Sequence, residues 1–312
     1  MYEIAIVGDL HLSPKVSSRT DDYFESCLEK ITEIASTCRN IIFLGDTFDS
    51  PTIPPNYFIE LYRHLNYLIS IKGNEFYAIM GNHDLYNERE ESLDRTTLGL
   101  CNETNLIQVK KPNNPVTIGS YNFYTSYVYF NKCKQHLLEI SKPECYLDND
   151  ILLLHQYYED LYECLHYDDL CDTGFKHIFF GHEHKPMAGF RIQTPTFTAY
   201  RCGSCGRNRA DAFNLNRDIN YFILDPQYDI KVGKLECVKP AENVFTEQAY
   251  NQDNLKKKQF INNINDVIGK YTNNINVQDK FSIKCILKEL NTPDICLQYI
   301  KNKYEQINEV FS

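Results

Sequence analysis

Short apolar runs that end in turn-forming residues recur along the first two thirds of the 312-residue chain. The five runs are Ile4–Val7, Ile41–Leu44, Phe76–Met80, Ile151–Leu154 and Ile178–Phe180. Runs of this length are typical of buried strands. Residues 21–38 and 56–71, which separate the first three runs, carry apolar side chains at helical spacing. The resulting β-α-β-α-β order predicts parallel strands joined by helical crossovers.

The rest of the first 240 residues is predicted to add further strands. Val116–Ile118 and Tyr121–Tyr124 flank Gly119-Ser120, a hairpin signal, and Tyr127–Phe130 is expected to extend this β-prone region. Further antiparallel strands are predicted at Thr196–Tyr200, Tyr221–Leu224 and Ile230–Cys237. The pattern predicts an α/β fold in which two packed mixed sheets are flanked by helices.

The composition shifts near Pro240, which predicts one domain at residues 1–240 and a short helical C-terminal region at residues 241–312. Thr292-Pro293 is a helix-start signal. The apolar side chains that follow it are spaced 3-4-3-4, at Leu297, Ile300, Tyr304, Ile307 and Phe311. We expect this apolar stripe to be buried, either against the domain of the same chain or against the helices of a partner.

Each of the five predicted strands is followed by side chains that can bind a metal ion. The motifs are Gly8-Asp9-Leu10-His11, Gly45-Asp46-Thr47-Phe48-Asp49, Gly81-Asn82-His83-Asp84, His155 alone, and Gly181-His182-Glu183-His184. Ligands of such sheets gather beyond the carboxyl ends of the strands. Carboxylate, imidazole and amide groups suit Mn²⁺, Fe²⁺ or Zn²⁺. We therefore predict a site for two divalent cations, with Asp46 as the natural bridge between them.

Five of the nine histidines lie in these motifs. A lone histidine is more often structural or solvated than a ligand. That interpretation applies to His64, His136, His166 and His177, which lie outside every motif.

Composition narrows the classes of function. An apolar fraction of 43% and a charged fraction of 24% are ordinary for a soluble globular protein. The chain has no apolar run of about 20 residues and starts without a secretory signal, so we expect an intracellular, cytoplasmic protein with no membrane partner. A net charge of −10 argues against broad adhesion to nucleic acid. It does not exclude a nuclease, because bound cations change the local field.

The cysteines are interpreted as structural, and a short lysine run is interpreted as solvated. The 12 cysteines are irregularly spaced in a large chain, which favours reduced thiols over disulfides. Cys202 and Cys205 form the one CxxC pair, which lacks the second pair or the histidines that a structural zinc site needs. Lys256–Lys258 could contact phosphates, although short lysine runs are more often solvated.

The motifs D-x-H, G-D-x-x-D, G-N-H-D, a lone His and G-H-x-H, in this order, resemble the calcineurin-like metallophosphoesterase superfamily over residues 1 to about 205. The resemblance implies that Asp9, His11 and His184 hold one metal, that Asn82, His155 and His182 hold the other, and that Asp46 bridges them. It also implies that His83 is the general acid and that the Asp49 carboxylate orients it. Two metals about 4 Å apart lower the pKa of a shared water for in-line attack on phosphorus. Together, pattern and resemblance predict a four-layer α/β/β/α sandwich.

Among the branches of this superfamily, the chain most resembles SbcD-type nuclease subunits, including phage-encoded versions. Protein phosphatases carry Glu where Asp84 stands, and lipid-precursor pyrophosphatases carry Arg where His83 stands. The resemblance implies a manganese-dependent DNA exonuclease and endonuclease, working as a homodimer. Its partner would be an SbcC-like coiled-coil ATPase that docks on C-terminal helices. About 70 residues follow the catalytic domain, so we expect docking helices with a reduced capping domain.

Two alternatives remain open at this stage. A small-molecule phosphodiesterase or phosphatase, such as a cyclic nucleotide hydrolase, would have a closed pocket instead of an open groove. A metal-free scaffold of the same fold is disfavoured, because no ligand position is missing from the motifs.

Overall fold

The computed structural model describes residues 2–141, 147–159, 164–210, 212–215, 217–227, 229–247 and 249. These residues belong to one compact unit that spans residues 1–249. The lysine run Lys256–Lys258 and the apolar stripe that ends at Phe311 lie outside the described residues, as does the predicted C-terminal region from residue 250 onward.

The first sheet contains six strands and carries the first three predicted ones. Its strands are β1 (Tyr2–Val7), β2 (Cys38–Phe43), β3 (Glu75–Ile79), β4 (Gln108–Lys110), β11 (Asn220–Leu224) and β12 (Ile230–Lys234). Their order is β12-β11-β1-β2-β3-β4. The strands from β1 to β4 are parallel, whereas β11 and β12 are antiparallel additions at one side. The carboxyl ends of β1, β2 and β3 therefore meet at one edge.

The second sheet also has six strands and carries the other two ligand-bearing ones. Its strands are β5 (Val116–Ile118), β6 (Tyr121–Thr125), β7 (Asp150–Leu154), β8 (His177–Phe180), β9 (Arg191–Gln193) and β10 (Thr198–Tyr200). Their order is β5-β6-β7-β8-β10-β9. β6, β7, β8 and β10 run parallel, and the predicted hairpin is the antiparallel pair of β5 and β6.

Helices cover the outer faces of the two sheets. They are α1 (Tyr23–Thr37), α2 (Pro55–Tyr67), α3 (Thr97–Glu103), α4 (Phe130–Ile140) and α5 (Tyr167–Leu170). A short helix, α6 (Ala212–Leu215), follows β10. One wide turn, Leu68–Lys72, prolongs α2 up to Gly73, where the chain turns in a left-handed conformation. Among the helices within the described ranges, none has the length and apolar character that a bilayer crossing requires.

The alternation of side chains along the strands produces three apolar layers. In β1, Ala5 and Val7 pack with α1, whereas Ile4 and Ile6 join the core between the sheets. In β7, the odd-numbered residues enter this central core and the even-numbered residues face α4 and α5. Successive strand residues point to opposite faces of a sheet, so both faces of both sheets are buried. This confirms the predicted four-layer α/β/β/α sandwich.

Two local predictions are wrong. Tyr127–Phe130 does not extend a strand, because Phe130 begins α4, whose residues at helical spacing, Cys133 and Leu137, are buried against β7 and β8. The segment predicted as an antiparallel strand, Thr196–Tyr200, contains β10, which is parallel to β8 and antiparallel only to β9. β9 escaped prediction because all three of its residues are exposed and lack an apolar alternation.

The chain just beyond residue 240 pairs with the loop that precedes α1. The Thr20 amide donates to the Val244 carbonyl oxygen at 2.8 Å, and the Thr246 amide donates to the Ser18 carbonyl oxygen at 2.9 Å. The predicted domain boundary at residue 240 stays a prediction.

Asn74 ties the start of β3 to the connection between α1 and β2. Its buried side-chain amide donates to the carbonyl oxygens of Ala35 and Cys38, both at 2.9 Å. We expect Asn74→Ala to lower the free energy of unfolding by about 2 kcal/mol, because each buried bond contributes about 1 kcal/mol. Asn74→Asp should cost more, because a carboxylate cannot donate to these carbonyls. Urea denaturation measures both changes.

The exposed Asn66 provides the control for this prediction. Asn66→Ala should change the free energy of unfolding by less than about 0.5 kcal/mol. Equal stabilities of the Asn74 and Asn66 variants would contradict the role assigned to Asn74.

Candidate metal centre

The strand ends of both sheets converge on one site that contains all seven predicted metal ligands. Asp9 and His11 follow β1, Asp46 follows β2, Asn82 follows β3, His155 follows β7, and His182 and His184 follow β8. Each of these side chains has a nitrogen or oxygen atom within 3.7 Å of a side-chain nitrogen or oxygen of another. The first sheet contributes four of them and the second sheet three.

One half of the centre is built around His11. The His11 Nε2 atom lies 2.8 Å from His184 Nε2 and 3.7 Å from Asp46 Oδ2. On the other side of the ring, Nδ1 lies 3.1 Å from Asp49 Oδ1. A carboxylate can only accept, so Nδ1 carries the proton and Nε2 presents its lone pair to the site.

The other half is built around His155. Its Nδ1 donates to the Leu44 carbonyl oxygen at 2.7 Å, which leaves Nε2 as the ligand atom. The Nε2 atom lies 3.1 Å from Asn82 Oδ1, 3.2 Å from His182 Nδ1 and 3.3 Å from Asp46 Oδ1. Asp46 therefore faces both halves, one through each carboxylate oxygen.

In both halves of the centre, more side-chain lone pairs face one another than there are protons to pair them. A bound cation would satisfy these lone pairs. Among the described residues, Asp9 Oδ2 is buried without a hydrogen-bond partner, while Asp9 Oδ1 accepts from the His182 amide at 2.9 Å. Two groups of ligand atoms, each within 4.8 Å of one another, share Asp46: His11 with His83, and His155 with His182. The donor set fits two divalent cations bound side by side.

The electrostatics of the ligands favour a bound positive charge. Burial, followed by the positive charge of neighbouring histidines, lowers the pKa of His182 and that of His184 to about 3, so both rings are neutral ligands. Burial alone would lower the pKa of His155, but the Asp46 and Asp9 carboxylates raise it to about 9. A proton on His155 thus occupies the position that a cation would take.

Three of the ligands adopt backbone conformations that side-chain-bearing residues rarely use. The φ angles of His11, Asp46 and His182 are 49°, 45° and 73°. Left-handed residues of this kind store strain and persist where the surrounding structure holds them. Here the conformation turns a side chain back toward the site immediately beyond a strand.

Asp84 holds two of these strand ends together, and the sequence analysis assigned it no role. Its fully buried carboxylate accepts hydrogen bonds from the amides of Phe48 at 2.9 Å, Gly81 at 3.0 Å and Thr47 at 3.3 Å. Burial and the negative charge of Asp46 raise the pKa of Asp84 to about 7. Its position at the end of the G-N-H-D motif was the signal that could have identified it.

His83 lies beside the ligands and is oriented by Asp49, though not through the expected atom. The His83 amide donates to Asp46 Oδ1 at 2.8 Å, and its Nδ1 donates to the Asp49 main-chain carbonyl oxygen at 2.9 Å. The Asp49 carboxylate, which was expected to orient His83, lies against His11 instead. A carbonyl oxygen fixes the same tautomer, so His83 Nε2 remains available.

A second missed residue, Lys30, supports the loop behind Asp9. The Asp9 carbonyl oxygen accepts from Ser204 Oγ at 2.8 Å and from the Gly206 amide at 3.0 Å. The buried Lys30 Nζ donates to the Cys205 carbonyl oxygen of the same loop at 3.0 Å. A lysine on the apolar face of α1, one turn after Cys27, was the available signal.

The remaining candidates lie away from the centre. Cys202 and Cys205 are buried free thiols whose pKa values burial raises to about 12 and about 11, so they stay protonated. Each histidine outside the motifs has a local partner. These pairs are His64 with Thr32, His136 with Ser126 and Asn113, His166 with Glu159, and His177 with Tyr200.

The absence of a side chain at Gly81 leaves room for the Asp46 main chain. We therefore expect a methyl group at this position to disturb both stability and metal binding. A Cβ atom at position 81 would lie 2.0 Å from the Asp46 amide nitrogen. We expect Gly81→Ala to displace the Asp46 loop, to destabilise the fold by about 1–3 kcal/mol and to weaken manganese binding. Urea denaturation and calorimetric titration measure the two effects.

Gly73→Ala is the matched control. Gly73 has a φ angle of 74°, but nothing lies within 4 Å of an added Cβ atom. That variant should lose about 1–2 kcal/mol through backbone strain alone and keep its metal affinity. Unchanged manganese binding by Gly81→Ala would contradict the steric argument.

Metal binding should divide along the two halves of the centre. Because Asp46 faces both, Asp46→Ala should abolish tight binding of both ions, whereas His184→Ala should spare the ion beside His155. Affinity should also rise with pH up to about 9, since binding displaces the proton of His155. Titration of manganese, followed by calorimetry and equilibrium dialysis, measures stoichiometry and affinity.

The exposed Asp94 serves as the control carboxylate. Asp94→Ala should bind two ions like the unaltered protein. Retention of two tightly bound ions by Asp46→Ala would refute the shared position of this carboxylate.

Comparison with known proteins places the chain in a family. The family model of calcineurin-like phosphoesterases matches residues 2–186, which is more than half of the chain. A search of curated proteins found no match.

Several solved structures are similar at low identity. A hypothetical protein from Thermus thermophilus is 10% identical, with a TM-score of 0.43 over 74% of this chain and 98% of that one. GAP50, described as the anchor in the inner membrane complex of Plasmodium, is 14% identical, with a TM-score of 0.41 over 76% and 89%. Vacuolar Protein Sorting 29 from Cryptosporidium parvum is also 14% identical, with a TM-score of 0.30 over 74% and 95%.

The family assignment therefore depends on the family model and on the clustered ligands. The match begins in β1 and ends just after His184, so it contains every residue of the metal centre. The chain belongs to the calcineurin-like phosphoesterase family, whose members hydrolyse phosphate esters and typically bind two divalent metals.

Proposed function

We propose that this protein is a manganese-dependent phosphodiesterase that cleaves DNA, as an SbcD-type nuclease subunit does. The observation that carries the proposal is a cleft of about 440 Å³ that opens directly from the metal centre. Its floor includes Asn82, His155 and His182, and its wall includes Tyr129 and Tyr157. A cleft of this size with aromatic walls suits a nucleotide unit of a polymer better than a bare phosphomonoester.

The residues that would hold the cations are the seven that converge at the strand ends. Asp9, His11 and His184 would hold one, Asn82, His155 and His182 the other, and Asp46 would bridge them. When bound, the cations would lower the pKa of a water molecule and neutralise phosphoryl oxygens.

His83 would act as the general acid. Its Nδ1 proton is committed to the Asp49 carbonyl oxygen, so the proton for the leaving oxygen comes from Nε2. The His11 hydrogen bond and the positive charge of neighbouring groups lower the pKa of the Asp49 carboxyl against the effect of its burial. Asp49 therefore stays ionised close to His83.

Local positive charge would offset the overall charge of −10 when a polyanion approaches. After burial and the effect of His11, the guanidinium groups of Arg209 and Arg217 lower the pKa of His184. Arg209 also acts on Asp49, which places an exposed cation at the same side of the centre. This charge supports a phosphate backbone as the substrate.

The proposal extends to assembly. A homodimer that docks an SbcC-like coiled-coil ATPase on residues 241–312 follows from the sequence resemblance. Co-purification with the product of a neighbouring gene for such an ATPase would support this extension.

His83→Ala distinguishes general-acid catalysis from simple metal chemistry. We expect it to slow the cleavage of labelled DNA by about 10²–10⁴-fold, because the deoxyribose alkoxide needs a proton. Hydrolysis of a p-nitrophenyl diester should fall less than tenfold, since nitrophenolate leaves without one. The measurement compares both rates in manganese, with His64→Ala as the control.

Equal losses on both substrates would argue against the acid role. If the unaltered protein ignores single- and double-stranded DNA but hydrolyses cyclic nucleotides, the small-molecule phosphodiesterase replaces the nuclease.

A further inference from the structure

The wall of the cleft is a loop that buried contacts hold in place. The Gln156 side-chain amide donates to the carbonyl oxygens of Tyr127 at 3.2 Å and Val128 at 2.5 Å. The Val128 amide donates to Glu90 Oε1 at 3.1 Å. Gln156 directly follows the metal ligand His155, so the loop and the metal centre are positioned by the same strand end. The loop is therefore a fixed part of the site.

This loop presents an aromatic ring to solvent at the cleft. Tyr129 is 48% exposed, although it directly precedes the buried face of α4. The Tyr129 carbonyl oxygen accepts the first hydrogen bond of α4, from Cys133, so the main chain of Tyr129 is held while its ring faces solvent. An aromatic ring on a loop that is held beside a site for phosphate can stack on a nucleobase.

A second aromatic ring of the cleft wall packs against a metal ligand. The ring centroid of Tyr157 lies 4.1 Å from that of His182, at an angle of 61°. Tyr157 is half-buried, and both rings line the cleft. A base that entered here would meet aromatic surface on the side of His182.

The composition of the cleft also indicates which nucleotide it receives. The lining includes Asn82, His155 and His182, which form one half of the metal centre, whereas His83 groups with His11 and Asp46 in the other half. The leaving oxygen has to lie at His83 to be protonated there. The cleft therefore lies on the side of the group that keeps the phosphate.

We propose that Tyr129 and Tyr157 form a binding subsite for the base of the nucleotide that retains the scissile phosphate. This inference rests on the proposed function, because it assigns part of the same substrate. The contact is made in the ground state as well as in the transition state, so its loss should raise KM more than it lowers kcat.

The test uses probes that differ only in the base. They are the 5′- and 3′-(p-nitrophenyl phosphate) esters of thymidine and their counterparts that lack the base, assayed with the manganese-loaded full chain. All release the same leaving group and keep the nucleoside or sugar on the phosphate. One thymidine ester should be hydrolysed with a kcat/KM about tenfold above that of its abasic counterpart.

Three variants assign this preference to Tyr129. Tyr129→Ala should remove the preference through KM, and Tyr129→Phe should keep it. Tyr67→Ala is the control: its exposed ring lies at the end of α2 that leads into β3, at the opposite edge of the sheet from the metal centre. Base-bearing and abasic esters hydrolysed equally well, or an undiminished preference in Tyr129→Ala, would overturn the proposal.

A binding measurement separates this proposal from the proposed function. Calorimetry in manganese compares thymidine 5′- and 3′-monophosphate with deoxyribose 5-phosphate. If no ester is hydrolysed but one thymidine nucleotide binds about tenfold more tightly than the sugar phosphate, and Tyr129→Ala removes the difference, the subsite stands while the proposed function fails. Equal binding of nucleotide and sugar phosphate would overturn the subsite.

Discussion

Two buried carboxylates lie close together and require positive charge beside them. This requirement determines how the strand ends of this protein are arranged. Asp9 and Asp46 lie at the junction of the sheets, where removing an ionised group from water is costly unless it is paired. The neighbouring rings of His182 and His184 are neutral, so they add lone pairs and no charge. Divalent cations bound here would resolve this conflict, and the surrounding chain keeps the residues that would hold them in place.

The conformation of the strand ends shows how the ligands are kept there. His11, Asp46 and His182 adopt left-handed conformations that an isolated chain would avoid. The compensation is local, since Asp84 accepts three main-chain amides from the loops after β2 and β3. The ligands thus carry backbone strain, while the layers of the sandwich have ordinary alternation and apolar packing on both faces of each sheet.

The fold and the ligand set were predictable because they depend on patterns of short range. An apolar run followed by Asp, Asn or His predicts both a strand and the sheet edge at which the ligand lies. Because the strands run parallel, their carboxyl ends, and so the ligands, lie together. The roles of Lys30 and Asp84 were hidden, because they depend on which main-chain groups become buried beside them. The Asp49 contact shows the same limit, since sequence identifies the residue but not whether its carboxylate or its carbonyl oxygen meets His83.

The division of the ligands between two sheets also has a consequence for biosynthesis. β1, β2 and β3 leave the ribosome long before β8, which carries His182 and His184 into place. A nascent chain that ends before residue 182 carries Asp9, His11, Asp46, Asn82 and His155 but lacks His182 and His184. The full ligand set is therefore complete only late in synthesis, and cations bound there would join two layers that were made at different times.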